Sequence, residues 1–261
     1  MRTLWAVLQL TRLDSSVLGF LSLFVPFYAR TNDLALSIGR AIPLLFIWMC
    51  TFIANDLDDL ERDQTNHPAR PLPTGRLNST FAGALYFICL ALALFLTRRF
   101  VDQRIAFCYY ALVCLSISYG YVVECLPSVK ALYVAATMTV PLIIVALYYP
   151  DERRLNVVAT AGFLFALGRE LCMDIVDRAG DVVSWIHGIP AMPLAVVAFV
   201  AHAVGMTLLV GLAHGVRDSI AAVFMALVLL LSGLCWFSLK KQVAAYRLMK
   251  LQLLVGLYFL T

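Results

Sequence analysis

The sequence predicts an all-α, polytopic membrane protein of about nine transmembrane helices, and three observations carry that prediction. Of its 261 residues 62% are hydrophobic and only 14% charged, with a mean hydropathy of +0.87, far more apolar than a soluble domain with one core. Several apolar runs approach the roughly 20 residues needed to cross a bilayer as a helix. The polar segments between them are short, marked by Arg30 to Arg40, Arg98 to Arg104, Pro127 to Lys130 and Pro150 to Arg154, and none separates soluble domains. A single membrane domain over residues 1–261 is the expectation.

Hydropathy read against charge places helices at about 4–29, 41–61, 79–97, 104–123, 131–149, 155–177, 189–212, 218–238 and 243–260. The first carries Thr11-Arg12-Leu13-Asp14-Ser15-Ser16, which sets Arg12 and Asp14 as an ion-pair candidate inside or at the edge of the membrane; snorkelling to the interface accounts for it equally. Those charges, and the lack of a cleavage site after them, argue against a removable signal peptide, so the chain is expected to insert whole. The second helix runs from Ala41 into Asn55-Asp56-Leu57-Asp58-Asp59-Leu60-Glu61-Arg62-Asp63, and the following segment, Gln64 to Arg76, holds three prolines and a glycine that forbid a simple helix.

The seven cysteines are scattered through apolar segments without metal spacing and read as small hydrophobes. Of the four histidines, His202 and His214 read as packing or interhelical hydrogen bonds. The net charge of +4 is spread over many loops, which excludes a basic stripe for nucleic acid. Lys and Arg fall in loops on both sides, so charge bias does not orient the chain. The expected location is a bacterial inner membrane, with the acidic loops cytoplasmic.

On a helix turning about 100° per residue, Asp56, Asp59 and Asp63 share one face and Asp58 points away. Three aligned carboxylates repel unless a cation lies between them, and oxygen-only ligands favour Mg2+ or Ca2+. The sixth helix ends in Asp174, Asp177 and Asp181, which repeat the spacing of three and then four. An even number of crossings separates the two stretches, which predicts that both emerge on one side of the bilayer. Acids at a helix C-terminus oppose the macrodipole, at up to about 1 kcal/mol each, and so call for a compensating cation. The six aspartates 56, 59, 63, 174, 177 and 181 are therefore the candidate metal ligands for two or more Mg2+ ions gripping an anionic ligand, with Asp59 and Asp177 also catalytic. Arg62, Arg70, Arg76 and Arg178 add candidate phosphate contacts, Arg70 foremost because it sits in the Pro-rich loop.

An anionic head at the mouth of an apolar helical protein implies a diphosphate on a long hydrocarbon tail, and isoprenyl diphosphates fit. Mg2+ and basic side chains would stabilise the departing diphosphate and leave an allylic carbocation. Tyr119 and Tyr121, at the end of the fourth helix, offer aromatic faces to it.

These residues resemble the UbiA superfamily of intramembrane prenyltransferases. Asn55-Asp56-x-x-Asp59-x-x-x-Asp63 is similar to that family's first aspartate-rich motif, Arg70-Pro71-Leu72-Pro73-Thr74-Gly75-Arg76 to the segment after it, Asp174-x-x-Asp177 closing with Gly180-Asp181 to the second motif, and Arg12-Leu13-Asp14 to the opening of its first helix. The resemblance implies a helical bundle around a central cavity, Mg2+-dependent binding of a prenyl diphosphate between the motifs, and transfer of the prenyl group to an aromatic or other lipophilic acceptor. It adds Asn55, Lys130 and His187 to Arg70, Arg76 and Arg178 as diphosphate-binding candidates. The sequence departs from the family pattern in places. Glu124 follows Tyr119-Gly120-Tyr121 where a lysine is usual, and Lys130 comes later; Trp185-Ile186-His187-Gly188 replaces a glycine, a basic residue and a threonine; Ser15-Ser16 replaces a basic residue and proline. Glu124 is the candidate base for the proton that the acceptor loses. Two rival readings use the same acids: a terpene cyclase that folds the prenyl chain on itself without an acceptor, and a cation transporter, which requires acids near helix centres rather than helix ends.

Overall fold

The computed structural model describes residues 2–177, 189–212, 215–238 and 240–259. Eleven α-helices follow one another: α1 (Arg2–Leu10), α2 (Leu13–Thr31), α3 (Leu34–Asp58), α4 (Leu60–Asn66), α5 (Ser79–Phe100), α6 (Gln103–Cys125), α7 (Lys130–Tyr148), α8 (Arg153–Val176), α9 (Ala191–Val210), α10 (Val216–Gly233) and α11 (Gln242–Tyr258). There is no strand among the described residues. Seven helices (α3, α5, α6, α7, α8, α9, and α10 continued to Ser238) are long and apolar enough to cross a membrane, and α1 with α2, bent by 49°, form an eighth if the pair is one span. The ninth expected segment, α11, is helical over 17 residues, below the span length. Large apolar side chains such as Phe87, Phe95 and Leu230 are exposed on these helices, as lipid-facing surfaces require. The protein is an integral, multi-pass membrane protein.

The described residues divide into two compact units, 2–125 and 126–259. In the first, α3 is the axis: α1, α2, α4, α5 and α6 all pack against it. It starts under an Asp33 cap, whose Oδ1 accepts from the Leu36 N–H at 2.9 Å, and buries Ala41, Leu44, Ile47, Cys50 and Ile53. At Gly19 a β-carbon would stand 2.0 Å from Trp48 Cδ1, so only glycine lets α2 lie this close to α3. The Pro-rich loop is anchored from beneath, because Leu72 and Leu77 enter the core formed by Ala6, Leu10, Cys50 and Ile53. Asn78 then caps α5 through the Phe81 N–H at 2.7 Å.

Two expected helices are interrupted. The first breaks at Thr11–Arg12, where Arg12 takes a left-handed backbone (φ 41°) and Thr11 Oγ1 donates back to the Val7 carbonyl at 3.0 Å. The second ends at Asp58 and restarts at Leu60, with Asp59 as the joint. Hydrophobic periodicity carries through both points because it registers which residues are apolar, not the local φ and ψ.

In the second unit α8 is the axis, packed by α7, α9 and α11. Leu171, Cys172, Leu194, Ala195, Ala198, Trp236 and Met249 form one of its buried clusters. His202 is fully buried, with Nδ1 2.9 Å from the Ala198 carbonyl oxygen: a packing residue, as expected, although that bond lies within α9. Cys50, Cys89, Cys108 and Cys172 are buried as expected, whereas Cys114 and Cys125 are exposed.

Candidate active site

In the first unit the acidic stretch closes on arginines. Asp56, buried at the last turn of α3, receives Arg12 Nη2 at 2.6 Å and Arg70 Nη1 at 3.3 Å, both on Oδ1. Arg70 Nη1 also lies 2.5 Å from Asp63 Oδ2. One guanidinium from the Pro-rich loop thus ties Asp56 to Asp63 across the break in the helix between them. Asp59, at the joint, pairs with Arg62 one turn on. Like charges so near one another are bearable because cations interleave them. Burial pushes the Asp63 carboxyl above its ordinary range, against the opposing pull of Arg70.

Arg12 does more than the sequence assigned to it. Its left-handed backbone turns the side chain to Asp56, and its guanidinium lies 4.9 Å from the centre of the Phe52 ring. The signal available in the sequence was a basic residue in an apolar segment, which favours a buried carboxylate as partner; which carboxylate depends on the break.

The other candidates of this unit are less concentrated. Arg76 is exposed and held by Gln9 Oε1 at 2.8 Å, Thr74 Oγ1 at 2.9 Å and the Ala69 carbonyl, apart from the aspartates. Asn55 Oδ1 is buried with no hydrogen-bond partner among the described residues. Asp58, exposed, faces α6: a β-carbon on Gly120 would meet its Oδ2 at 2.7 Å, so glycine there lets the ends of α3 and α6 approach. This brings Tyr119, half-buried, and Glu124, exposed, to the acidic end of α3, with the charge of Glu124 felt by Asp58. Tyr121, 73% exposed, points outward.

In the second unit Lys130, the first residue of α7, places Nζ 2.8 Å from Oδ1 of the buried Asp174. Asp177 caps the end of α8, its N–H bonded to the Met173 carbonyl. Asp181, Arg178 and His187 lie outside the described residues, as does His214. One turn before Asp174, on the same face of α8, Glu170 pairs with Arg169; both are buried, and Arg169 Nη2 lies 3.2 Å from Met173 Sδ. Sequence reasoning gave this pair no role, although two adjacent charges inside an apolar helix are a signal in themselves.

Among the described residues no three His, Cys, Asp or Glu side chains converge as a metal cage. The donor chemistry nevertheless fits a hard divalent cation: carboxylate oxygens and the partnerless amide oxygen of Asn55. Among the described residues Arg12, Arg62, Arg70 and Lys130 stand beside those carboxylates.

A membrane-embedded helical protein with buried acids answered by basic residues at helix ends is the class that fold and site define. The UbiA prenyltransferase family model matches residues 16–254, and the chain belongs to that family. It is 33% identical over 155 residues to a digeranylgeranylglyceryl phosphate synthase of Pyrococcus furiosus, a match covering 54% of this chain and 53% of that protein, so it spans about half the relative's length. Among solved structures it resembles an apo UbiA homolog from Aeropyrum pernix K1, with TM-score 0.73 at 15% identity over 94% of this chain and 96% of that one. It also resembles a UbiA homolog from Archaeoglobus fulgidus bound to GPP and Mg2+, with TM-score 0.67 at 14% identity over 98% of this chain and 99% of that one. At these identities the structural likeness is one of fold.

Proposed function

We propose that the protein is a Mg2+-dependent intramembrane prenyltransferase that ionises an isoprenyl diphosphate and transfers the prenyl group to an aromatic or other lipophilic acceptor. The observation that carries this reading is the pairing of Arg70 with both Asp56 and Asp63, a site already charged for a ligand that brings anions and cations together. Family membership supports it, as do a relative named as a synthase of a prenylated lipid and a homolog bound to GPP and Mg2+. The helices α5, α6, α7 and α8 each qualify as spans, so an even number of crossings lies along the chain between the two acidic stretches.

In this reading Asp56, Asp59 and Asp63 in one stretch, and Asp174, Asp177 and Asp181 in the other, hold Mg2+, which supplies Lewis-acid stabilisation of the departing diphosphate. Arg70, Arg178, Lys130, His187 and, through its amide nitrogen, Asn55 bind the diphosphate oxygens, with Arg70 and Lys130 turning to them from their carboxylates and Arg76 from Gln9 and Thr74. The bond from prenyl C1 to oxygen breaks with its electron pair going to the diphosphate. Tyr119 shields the allylic cation. The acceptor's electron pair forms the new bond to C1, and Glu124 takes the proton that the acceptor loses. The active-site loops are assigned to the cytoplasm, where soluble diphosphates and Mg2+ are available, and the membrane to a bacterial inner membrane.

The test is to incubate the purified full chain with Mg2+ and prenyl diphosphates of several lengths, with and without lipophilic acceptors, following diphosphate release and organic product. Mg2+-dependent release with a prenylated acceptor is expected, reduced on the order of 100-fold or more in Asp59→Ala and Asp177→Ala. A cyclic product formed without acceptor would replace transferase by cyclase. Absence of diphosphate release under all conditions would remove both.

A further inference from the structure

The second unit carries a groove of about 760 Å3 between the end of α8, at Val176 in the second acidic stretch, and the first three turns of α11. Its polar rim is Lys240, Lys241 and Arg247; its wall is Val243, Leu248 and Leu251, closed on one side by Val176. The volume lies within the roughly 300–1,000 Å3 typical of small-molecule sites. Among the described residues the ion pairs Lys130–Asp174 and Arg169–Glu170 involve none of the three rim cations, and no acid stands in the first turn of α11.

The backbone sets the rim in place. Lys240 has φ 57°, a left-handed conformation that residues other than glycine rarely adopt, and the Lys241 N–H donates to the Cys235 carbonyl at 2.7 Å. The turn into α11 therefore presents two lysines side by side. On the helix Val243, Arg247 and Leu251 recur every four residues and lie on one face. Along that face Lys240 and Lys241 stand at the start and Arg247 half-way, with the apolar Val243 and Leu251 on either side of Arg247, over roughly 15 Å from Lys241 to Leu251. Val243 and Leu251 are exposed.

A ligand with a compact anionic head and hydrocarbon chains answers both the cations and the apolar side chains between them; a free anion leaves the wall unused, and a neutral lipid leaves the cations unanswered. We propose that the groove is a binding site for an anionic phospholipid of the surrounding bilayer, its phosphate held by Lys240, Lys241 and Arg247 and its chains laid along Val243, Leu248 and Leu251. Basic pockets between membrane helices bind such headgroups by the same physics.

The test uses the purified full chain in a neutral detergent. Phosphatidylglycerol and phosphatidylcholine are titrated separately while thermal unfolding and lipid retained through native mass spectrometry are followed, with inorganic phosphate as a third arm. Phosphatidylglycerol is expected to raise the unfolding temperature and remain bound, phosphatidylcholine to do neither, and Lys240→Gln/Lys241→Gln/Arg247→Gln to weaken apparent phosphatidylglycerol affinity by about tenfold or more. If the triple variant does not fold, Arg247→Gln alone decides, with a smaller weakening in the same direction. Equal stabilisation by phosphatidylcholine, unchanged phosphatidylglycerol affinity in the variant, or the whole effect reproduced by inorganic phosphate would each overturn the proposal.

Discussion

The guanidinium of Arg12 stands 2.6 Å from Oδ1 of Asp56, joining the break between α1 and α2 to the last turn of α3 across 44 positions of sequence. Asp56 is 2% exposed, so this contact and the longer one to Arg70 are what compensate a buried carboxylate.

Arg12→Ala leaves Asp56 with Arg70 as its remaining recorded cation, at 3.3 Å. The expected loss of stability is about 1–3 kcal/mol, with Arg12→Lys intermediate because the charge stays but the planar fork is lost. Unfolding in detergent measures it, and an Arg12→Ala protein as stable as the parent would show that Arg70 alone suffices.

Lys130 Nζ stands 2.8 Å from Oδ1 of Asp174. Lys130→Ala is expected to raise the KM for prenyl diphosphate about tenfold, and Lys130→Arg to recover part of the loss, since a hydrogen bond to a charged group contributes about 1.5–3 kcal/mol. Steady-state diphosphate release checks this, with no change in KM as the outcome against a ligand role.

Gly168 is where α8 and α9 touch. A β-carbon there would lie 2.3 Å from His202 Nδ1 and 2.5 Å from the Ala198 carbonyl oxygen, and a backbone oxygen cannot swing aside. Gly168→Ala should destabilise by about 1–3 kcal/mol, as overpacking does. Gly83, in α5, has nothing within 4 Å of its built β-carbon, so Gly83→Ala should be neutral or stabilising by up to about 1 kcal/mol. Thermal unfolding of the pair gives the comparison its own control.

Burial raises the folded-state carboxyl pKa of Asp63 above its unfolded value, with Arg70 opposing. Protonated Asp63 therefore favours the folded state. That contribution is fully present below the ordinary carboxylate pKa and is lost as pH rises through the raised one. In metal-free protein, Asp63→Asn is expected to remove this part of the pH dependence, so the difference in unfolding temperature between parent and variant should change across that window. A constant difference would show that Arg70 cancels the effect of burial.

By itself the sequence determined the all-helical membrane class, the order of the helices, both acidic stretches and the Pro-rich loop bearing Arg70. These follow from hydropathy, periodicity and residue chemistry, which act along the chain and survive without knowledge of contacts. It also suggested a cation among the carboxylates of the first stretch. Only the tertiary structure decided that Arg12, Arg62 and Arg70 stand beside them, and that Lys130, late in sequence for its part, reaches Asp174. Partner choice depends on where helices break. The left-handed Arg12 and the joint at Asp59 are local departures that leave the apolar pattern unaltered, and at the first of them the chain bends by 49°.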